Sequence, residues 1–311
     1  MISQAHDPIP ALLASLQTAR IHRDLYYLAS DPLPVRTANR TLPGHAKSTL
    51  DEADDYIAAE LAAAGYEVER EACRVQAFRR DTRKPIQHQY ASPAPEDPWY
   101  TVYNLYAERR GATRPDEIVL LVAHKDSQSW IDSPGAYDNA VGTAANLELA
   151  RVLARVRLKR TVRWLFCNEE HTPWTSVTAA RRARERGDNL IAIFNTDSLG
   201  GKSAESLAAG LRANVTRYTA PEGRWLAELM AEVNETYRIG LTQAAYESNR
   251  PGDDDGSFIK EGFPAAVCNV GSLPYADPNY HQLGDTPEKV DLENVTLAAQ
   301  AILAAVLRVA G

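Results

Sequence analysis

Cysteines are few in this sequence, and no apolar segment is long enough to span a membrane. The three cysteines, Cys73, Cys167 and Cys268, stand far apart in strand-like segments, which predicts buried free thiols rather than a disulfide framework or a CxxC zinc site. No stretch approaches the roughly 18 apolar residues of a membrane span, and no basic segment followed by an apolar run opens the chain. These absences predict a soluble, cytoplasmic protein without a signal peptide or transmembrane segment.

Runs of like charge are equally scarce. The net charge of the 311 residues is −7, and the longest acidic block is the triplet at 253–255. An acidic chain without basic clusters predicts neither a nucleic-acid partner nor a membrane partner. The hydrophobic share of 44% is ample for one large core, so we expect a single domain over residues 1–311. The sequence leaves the oligomeric state open.

Several catalytic signatures are also missing. The chain contains no GxSxG elbow, no GxxxxGK[ST] loop, no GxGxxG turn and no HExxH helix, which argues against serine hydrolases, P-loop enzymes, dinucleotide-binding enzymes and zincins. Cys167 and Cys268 lie inside apolar strand-like segments, where a reactive thiolate is disfavoured. Cysteine catalysis is therefore a poor explanation as well.

The chain does contain a regular alternation of strands and helices. Residues 49–64 have helical spacing and residues 66–78 alternate like a strand, whereas residues 79–99 are polar and rich in proline, which predicts a long loop or lid. From residue 118 the pattern runs IVLLVAH, NAVGTAANLELARVLARV, TVRWLFC, TPWTSVTAARRARE, LIAIFN and PAAVCNV, and a last helix starts at residue 292. Such a pattern predicts an α/β fold with a central mixed, mostly parallel sheet flanked by helices on both faces.

Polar residues mark the carboxyl ends of these predicted strands, where α/β sheets bind their ligands. His124 ends the first strand, Glu169 and Glu170 follow the second, and Asp197 follows the third. Adjacent carboxylates such as Glu169 and Glu170 repel each other unless water solvates them or a cation binds between them. The other polar residues at these strand ends favour a bound cation over solvation by water.

Five residues at these ends form a ligand set for two divalent metal ions. They provide two imidazoles and three carboxylates, one of which would bridge, and zinc is the metal that this set favours. Glu169 then remains as a general base for metal-bound water, and Asp126 is placed to orient the imidazole of His124. The predicted ligands are His124, Asp138, Glu170, Asp197 and His281.

At this point the chain resembles a known family, the dizinc aminopeptidases of peptidase family M28. One such motif alone would be weak evidence, but six occur in family order over residues 123–291. The matching segments are AHKDS (123–127), GAYDNAVG (135–142), NEEH (168–171), NTDSLG (195–200), DDDGSFIKEGFPA (253–265) and YHQLGDTPEKVD (280–291).

The resemblance implies two zinc ions per chain and a role for each matching residue. One ion is expected on His124 and Asp197, the other on Glu170 and His281, with Asp138 between them. The general base is expected at Glu169 and an oxyanion-stabilising hydroxyl at Tyr280, while Arg250 and Asp255 are candidates for contacts with substrate. The chain departs from the family pattern at Asp255, Tyr137 and His171.

Each residue alone also has a structural explanation. Asp138 precedes a helix and would make an N-cap, His124 suits a buried hydrogen-bonded imidazole, and His281 lies in a turn-like segment. The joint occurrence of all these residues favours a zinc-dependent aminopeptidase that acts through a metal-bound hydroxide. The alternatives are a carboxypeptidase, a glutaminyl-cyclase-like enzyme on the same scaffold, or a non-catalytic metal-binding recognition protein.

Overall fold

The computed structural model describes residues 7–272 and 276–311. The strands are β1 (Glu69–Ala77), β2 (Arg79–Arg80), β3 (Tyr90–Ala91), β4 (Tyr100–Arg109), β5 (Arg114–His124), β6 (Arg160–Cys167), β7 (His171–Thr172), β8 (Asn189–Thr196), β9 (Ala213–Tyr218), β10 (Thr242–Glu247) and β11 (Ala266–Val270). The helices are α1 (Ile9–Ser15), α2 (Thr18–Ala29), α3 (Thr49–Ala63), α4 (Val141–Leu153), α5 (Thr175–Arg186), α6 (Ala204–Ala208), α7 (Arg224–Thr236), α8 (Asp253–Lys260) and α9 (Leu292–Ala310).

In the described residues, nine strands form one mixed sheet in the order β10-β9-β11-β8-β5-β6-β4-β1-β7. The central strands β11, β8, β5 and β6 run parallel to one another, and antiparallel pairs flank them on both sides. The predicted α/β fold is confirmed, with the parallel pairs at its centre. The carboxyl ends of four adjacent strands therefore meet at one edge.

Helices cover both faces of this sheet because its central strands are apolar on both sides. Along β5, Val119 and Leu121 join a core packed against α2, α4 and α9. The alternate residues Leu120 and Val122 join a second core, to which α5 and α8 contribute. Side chains of successive strand residues point to opposite faces, so one apolar run supplies both cores.

Helix α9 belongs to the first of these cores. It is long and apolar enough to cross a membrane by length and composition alone, but 61% of its apolar window is buried in the fold. Asp291 caps its start by accepting hydrogen bonds from the backbone N–H groups of Glu293 and Asn294. These contacts are those of a core helix.

The segment predicted as a loop or lid contains regular structure. Strands β2 and β3 pair as a short hairpin, and a 3-10 turn, Ile86–His88, lies at its tip. Each strand has only two residues, too few to leave a periodic pattern in the sequence. The three cysteines are free and buried, as predicted.

Candidate metal centre

The predicted ligands come from neighbouring elements at the carboxyl edge of the sheet. His124 is the last residue of β5, and Asp197 directly follows β8. Glu170 lies three residues beyond β6, and Asp138 lies in an irregular turn, Ala136–Ala140, that leads into α4 and is not helical at Asp138. The loop after β11 brings His281 to the same place, so the structure gathers all five residues.

The two imidazoles face the carboxylates at short range. Nε2 of His124 lies 3.0 Å from Oδ1 of Asp138 and 3.5 Å from Oδ1 of Asp197. Nε2 of His281 lies 2.8 Å from Oδ2 of Asp138 and 3.0 Å from Oε1 of Glu170. The carboxylate of Asp138 thus lies between two groups of donor atoms, with one oxygen toward each.

The other nitrogen of each imidazole is already hydrogen-bonded. Nδ1 of His124 lies 3.2 Å from both the carbonyl oxygen and Oδ1 of Asp126, and Nδ1 of His281 lies 2.9 Å from the carbonyl oxygen of Gln87. Carbonyl oxygens only accept hydrogen bonds, so Nδ1 of His281 carries a proton. This arrangement leaves Nε2 free to act as the ligand atom.

These donor atoms have the spacing that zinc requires. Ligands about 2.0 Å from a tetrahedral ion lie roughly 3.3 Å from one another. Nε2 of His281 is buried and faces oxygens of Asp138 and Glu170. Burial opposes the charged imidazole, but the carboxylates of Glu170 and Asp138 raise the pKa of His281 to about 10. The carboxylates therefore stabilise a positive charge between the ligand groups, and the donor atoms fit a metal ion.

Asp126 fixes the position of the glutamate pair. Its carboxylate accepts hydrogen bonds from the backbone N–H groups of Glu169 and Glu170, each at 2.9 Å, and from Nδ1 of His171 at 2.7 Å. Nε2 of His171 in turn accepts from the backbone N–H of Ala38 at 3.1 Å. His171, a departure from the family pattern, therefore helps to hold the loop that carries both glutamates.

Glu169 lies beside the first group of ligands. A carboxylate oxygen of Glu169 and donor atoms of His124 and Asp197 all lie within 4.8 Å of one another. Burial, assisted by the nearby carboxylates of Asp254 and Asp253, raises the pKa of Glu169 well above its usual value. A neighbouring dication opposes this shift because it favours the ionised carboxylate.

The backbone at Asp138 is held by Asp285, a residue that sequence reasoning missed. The carboxylate of Asp285 accepts hydrogen bonds from the backbone N–H groups of Tyr137 at 2.7 Å and Asp138 at 3.1 Å. Nε2 of Gln128 lies 3.3 Å from Oδ2 of Asp138. Asp285 stands in the segment 280–291 that matches the family, and this was the only sequence signal for it.

A small, strongly polar cavity of about 60 Å³ opens at the ligands. Tyr280 lines it and stacks on His281, with ring centroids 3.9 Å apart. Apolar surface is scarce in this cavity. Its lining residues are His124, Tyr137, Asp138, Glu169, Glu170, Asp197, Ser198, Arg217, Asp253, Val270 and Tyr280.

The cation in this cavity is Arg217 on β9, which sequence reasoning missed. Its guanidinium lies 2.7 Å from Asp255 and also pairs with Asp253. Arg250, expected to contact substrate, lies in the exposed turn after β10 and is not among the lining residues. β10 ends at Glu247, so Arg250 lies outside this cavity, and its contact with a bound substrate stays a prediction. Asp255 is buried against Arg217 and does not itself line the cavity.

Lys125, in the matching segment AHKDS, faces away from the cavity. It is fully buried, and its Nζ lies 2.7 Å from Oδ1 of Asp54 and 2.7 Å from Oδ1 of Asn168. Lys125 therefore has a structural role: it joins α3 to the loop after β6.

Comparison with known proteins places this site in a family. The chain is 28% identical over 212 residues to a "Probable zinc metalloprotease" of Pyrenophora teres f. teres, a match that covers 58% of this chain and 42% of the relative. It is 25% identical over 218 residues to a "Probable aminopeptidase" of Saccharomyces cerevisiae, covering 66% of this chain and 56% of that protein. The chain thus spans about half the length of the curated relatives that it matches.

A solved structure shows the same fold. The aminopeptidase from Aneurinibacillus sp. strain AM-1 superposes with a TM-score of 0.72 at 16% identity, over 97% of this chain and 96% of that one. The family model for peptidase family M28 matches residues 104–306, which include the five residues gathered at the sheet edge and Glu169. That match covers about two-thirds of the 311 residues, so the chain belongs to peptidase family M28.

Proposed function

We propose that this protein is a zinc-dependent exopeptidase that holds two zinc ions and removes N-terminal residues from peptides. The observation that carries the proposal is the pair of ligand groups that share Asp138. His124 and Asp197 would hold one ion, Glu170 and His281 the other, and Asp138 both. Two ions joined by one carboxylate are an arrangement found in aminopeptidases and other hydrolases.

Glu169 is the proposed proton carrier. Bound zinc would polarise the scissile carbonyl and make water more acidic. The carboxylate of Glu169 takes a proton from the attacking water and passes it to the nitrogen of the leaving amine. Tyr280 lines the same cavity, stacked on His281, and is the candidate hydroxyl donor to the oxyanion.

The charges of the cavity support aminopeptidase polarity. Glu169 and Asp253 add negative charge beyond the three carboxylates assigned to metal. The one cation among the described lining residues, Arg217, already pairs with Asp253 and Asp255. The carboxylates not assigned to metal can therefore bind an α-ammonium group, whereas no unpaired Lys or Arg among the described lining residues faces an α-carboxylate.

The polarity is tested with two modified forms of one good peptide substrate. N-acetylation should abolish cleavage because it removes the ammonium charge, and C-terminal amidation should leave the rate nearly unchanged. The unmodified peptide is the control. Cleavage that survives acetylation and disappears on amidation would instead establish a carboxypeptidase.

The metal content is tested by elemental analysis after loosely bound metal has been removed. We expect about two zinc ions per chain, and loss of activity on chelation that added zinc reverses. A protein that folds and takes up only one ion would support the glutaminyl-cyclase-like alternative, and one that binds zinc but turns over no substrate would support a recognition protein.

The two glutamates are separated by conservative substitutions. Glu169→Gln should retain most of the bound zinc and lower kcat about 100-fold to 10,000-fold, the usual effect of removing a positioned base. Glu170→Gln should instead lower the affinity for zinc. The opposite pair of results would show that Glu169 is the ligand and Glu170 the base.

A further inference from the structure

The hairpin formed by residues 79–91 has a rigid base. Arg79 forms two hydrogen bonds of 2.7 Å with the carboxylate of Asp97. The backbone N–H of Phe78 donates to Oγ of Ser129 at 2.9 Å, and the rings of Phe78 and Tyr90 pack with centroids 5.3 Å apart. These contacts hold the hairpin in one orientation over the sheet edge.

The tip of the hairpin reaches the candidate metal centre. The carbonyl oxygen of Gln87, in the 3-10 turn, accepts the hydrogen bond from Nδ1 of His281 at 2.9 Å. A backbone carbonyl so placed sets which nitrogen of His281 faces the carboxylates. The hairpin is therefore part of the site and not only a surface excursion.

A second, larger cavity starts at His281. It has a volume of about 500 Å³ and lies between the hairpin, residues 130–132 and residues 281–284. Ile86 and Leu283 line it from the hairpin and from the 281–284 loop and are 52% and 66% exposed. Trp130 also lines it. Large apolar side chains left exposed around one cleft are typical of a binding site.

The cleft and the cavity at the ligands differ in charge. The described carboxylate of the cleft, Asp132, forms an ion pair with Arg40, so the cleft offers no unpaired acid to an α-ammonium group. The cavity at the ligands is small and acidic. Its carboxylates suit the N-terminal end of a substrate. The cleft, lined by large apolar side chains and by the cation Arg80, suits the remainder.

We propose that this cleft binds the leaving portion of a peptide substrate and prefers an apolar residue directly after the scissile bond. The hairpin 79–91 supplies one wall of this subsite through Ile86, and Leu283 and Trp130 supply others. This inference rests on the proposed exopeptidase function. It adds a preference for peptides over single amino-acid amides and identifies the residues that produce it.

The test compares three substrates with the same N-terminal residue X: the amide X-NH2, X-Gly-Gly and X-Leu-Leu. The wild-type protein should cleave X-Leu-Leu with kcat/KM at least about 10-fold above X-Gly-Gly, the size of preference that an apolar pocket gives. The double substitution Ile86→Ser with Leu283→Ser should bring the ratio of kcat/KM for X-Leu-Leu to kcat/KM for X-Gly-Gly close to one, and X-NH2 reports any separate change at the metal centre. Leu207→Ser is the matched control, since Leu207 is 57% exposed and lies outside the cleft.

Equilibrium binding separates this inference from the proposed function. In the zinc-loaded Glu169→Gln background, calorimetry should show X-Leu-Leu binding about 10-fold more weakly after the double substitution. The subsite proposal would be overturned if the wild-type protein cleaved X-Leu-Leu and X-Gly-Gly with equal kcat/KM and the double variant bound X-Leu-Leu as tightly as Leu207→Ser does. The exopeptidase proposal would then remain intact. If the zinc-loaded wild-type protein cleaved none of the substrates, but X-Leu-Leu still bound about 10-fold more weakly after the double substitution, the exopeptidase proposal would be overturned and the subsite supported.

Discussion

Replacing Asp126 by asparagine tests whether this buried carboxylate organises the metal centre. Its two oxygens accept from the backbone N–H groups of Glu169 and Glu170 and from His124 and His171. Burial opposes ionisation, but the hydrogen bonds from His124 and His171 lower the pKa of Asp126 below its usual range. Asp126 is thus a charged acceptor near neutral pH.

An asparagine amide has the same shape but only one acceptor oxygen. In one orientation its NH2 group faces the N–H donors of Glu170 and His171, and in the other it faces those of Glu169 and His124. His171 cannot resolve the conflict by changing tautomer, because its Nε2 would then turn a proton toward the N–H of Ala38. In the second orientation His124 keeps the backbone carbonyl oxygen of residue 126 as an acceptor, so at least one buried donor stays unsatisfied, at about 1–3 kcal/mol.

We therefore expect Asp126→Asn to lower the free energy of unfolding by about 1–3 kcal/mol. The affinity for zinc should fall about 10-fold to 100-fold, as for other residues that orient metal ligands. Denaturant unfolding in excess chelator measures the first quantity, and competition with a chromophoric chelator measures the second. Asp116→Asn, at an exposed position of β5, is the control. Zinc affinity equal to the control's, with stability unchanged within about 0.5 kcal/mol, would refute the reasoning.

Three further predictions concern the surroundings of the site. Lys125→Met leaves the buried carboxylate of Asp54 without its partner. The free energy of unfolding, measured with denaturant, should fall by about 3–5 kcal/mol. Arg217→Met leaves the buried carboxylate of Asp255 and the partly exposed one of Asp253 unpaired and should destabilise the protein by a similar amount. Arg250→Ala, at an exposed position, should change stability by less than about 0.5 kcal/mol. Replacing residues 83–88 by a short glycine linker removes the acceptor for His281 and should weaken zinc binding about 10-fold to 100-fold in chelator competition; an unchanged affinity would mean that Gln87 does not orient that ligand.

The sequence predicted the central strands and the residues at their ends because both leave strong local signals. An apolar run that ends in His124, or in the pair Glu169 and Glu170, marks a buried strand and the polar edge beyond it. Parallel neighbours then bring such ends together without any further information.

The parts that escaped prediction lack such signals. Strand β9 is buried throughout yet contains Asn214 and Thr216, whose side chains hydrogen-bond to Asn269 on the adjacent strand β11. A polar strand of this kind has no apolar pattern, and its burial depends on partners more than 50 residues away in the chain. Arg217 lies on that strand and was missed for the same reason.

The hydrogen bond between Gln87 and His281 also gives the site an order of assembly. It connects positions 194 residues apart, and contacts of such separation close late because the intervening chain must first be ordered. Asp138 is also held by the carboxylate of Asp285, which lies in the same late part of the chain as His281. An ion held between Asp138 and His281 then acts as a reversible cross-link between early and late parts of the chain, so the hairpin and the 281–284 loop should be protected from proteases together and exposed together.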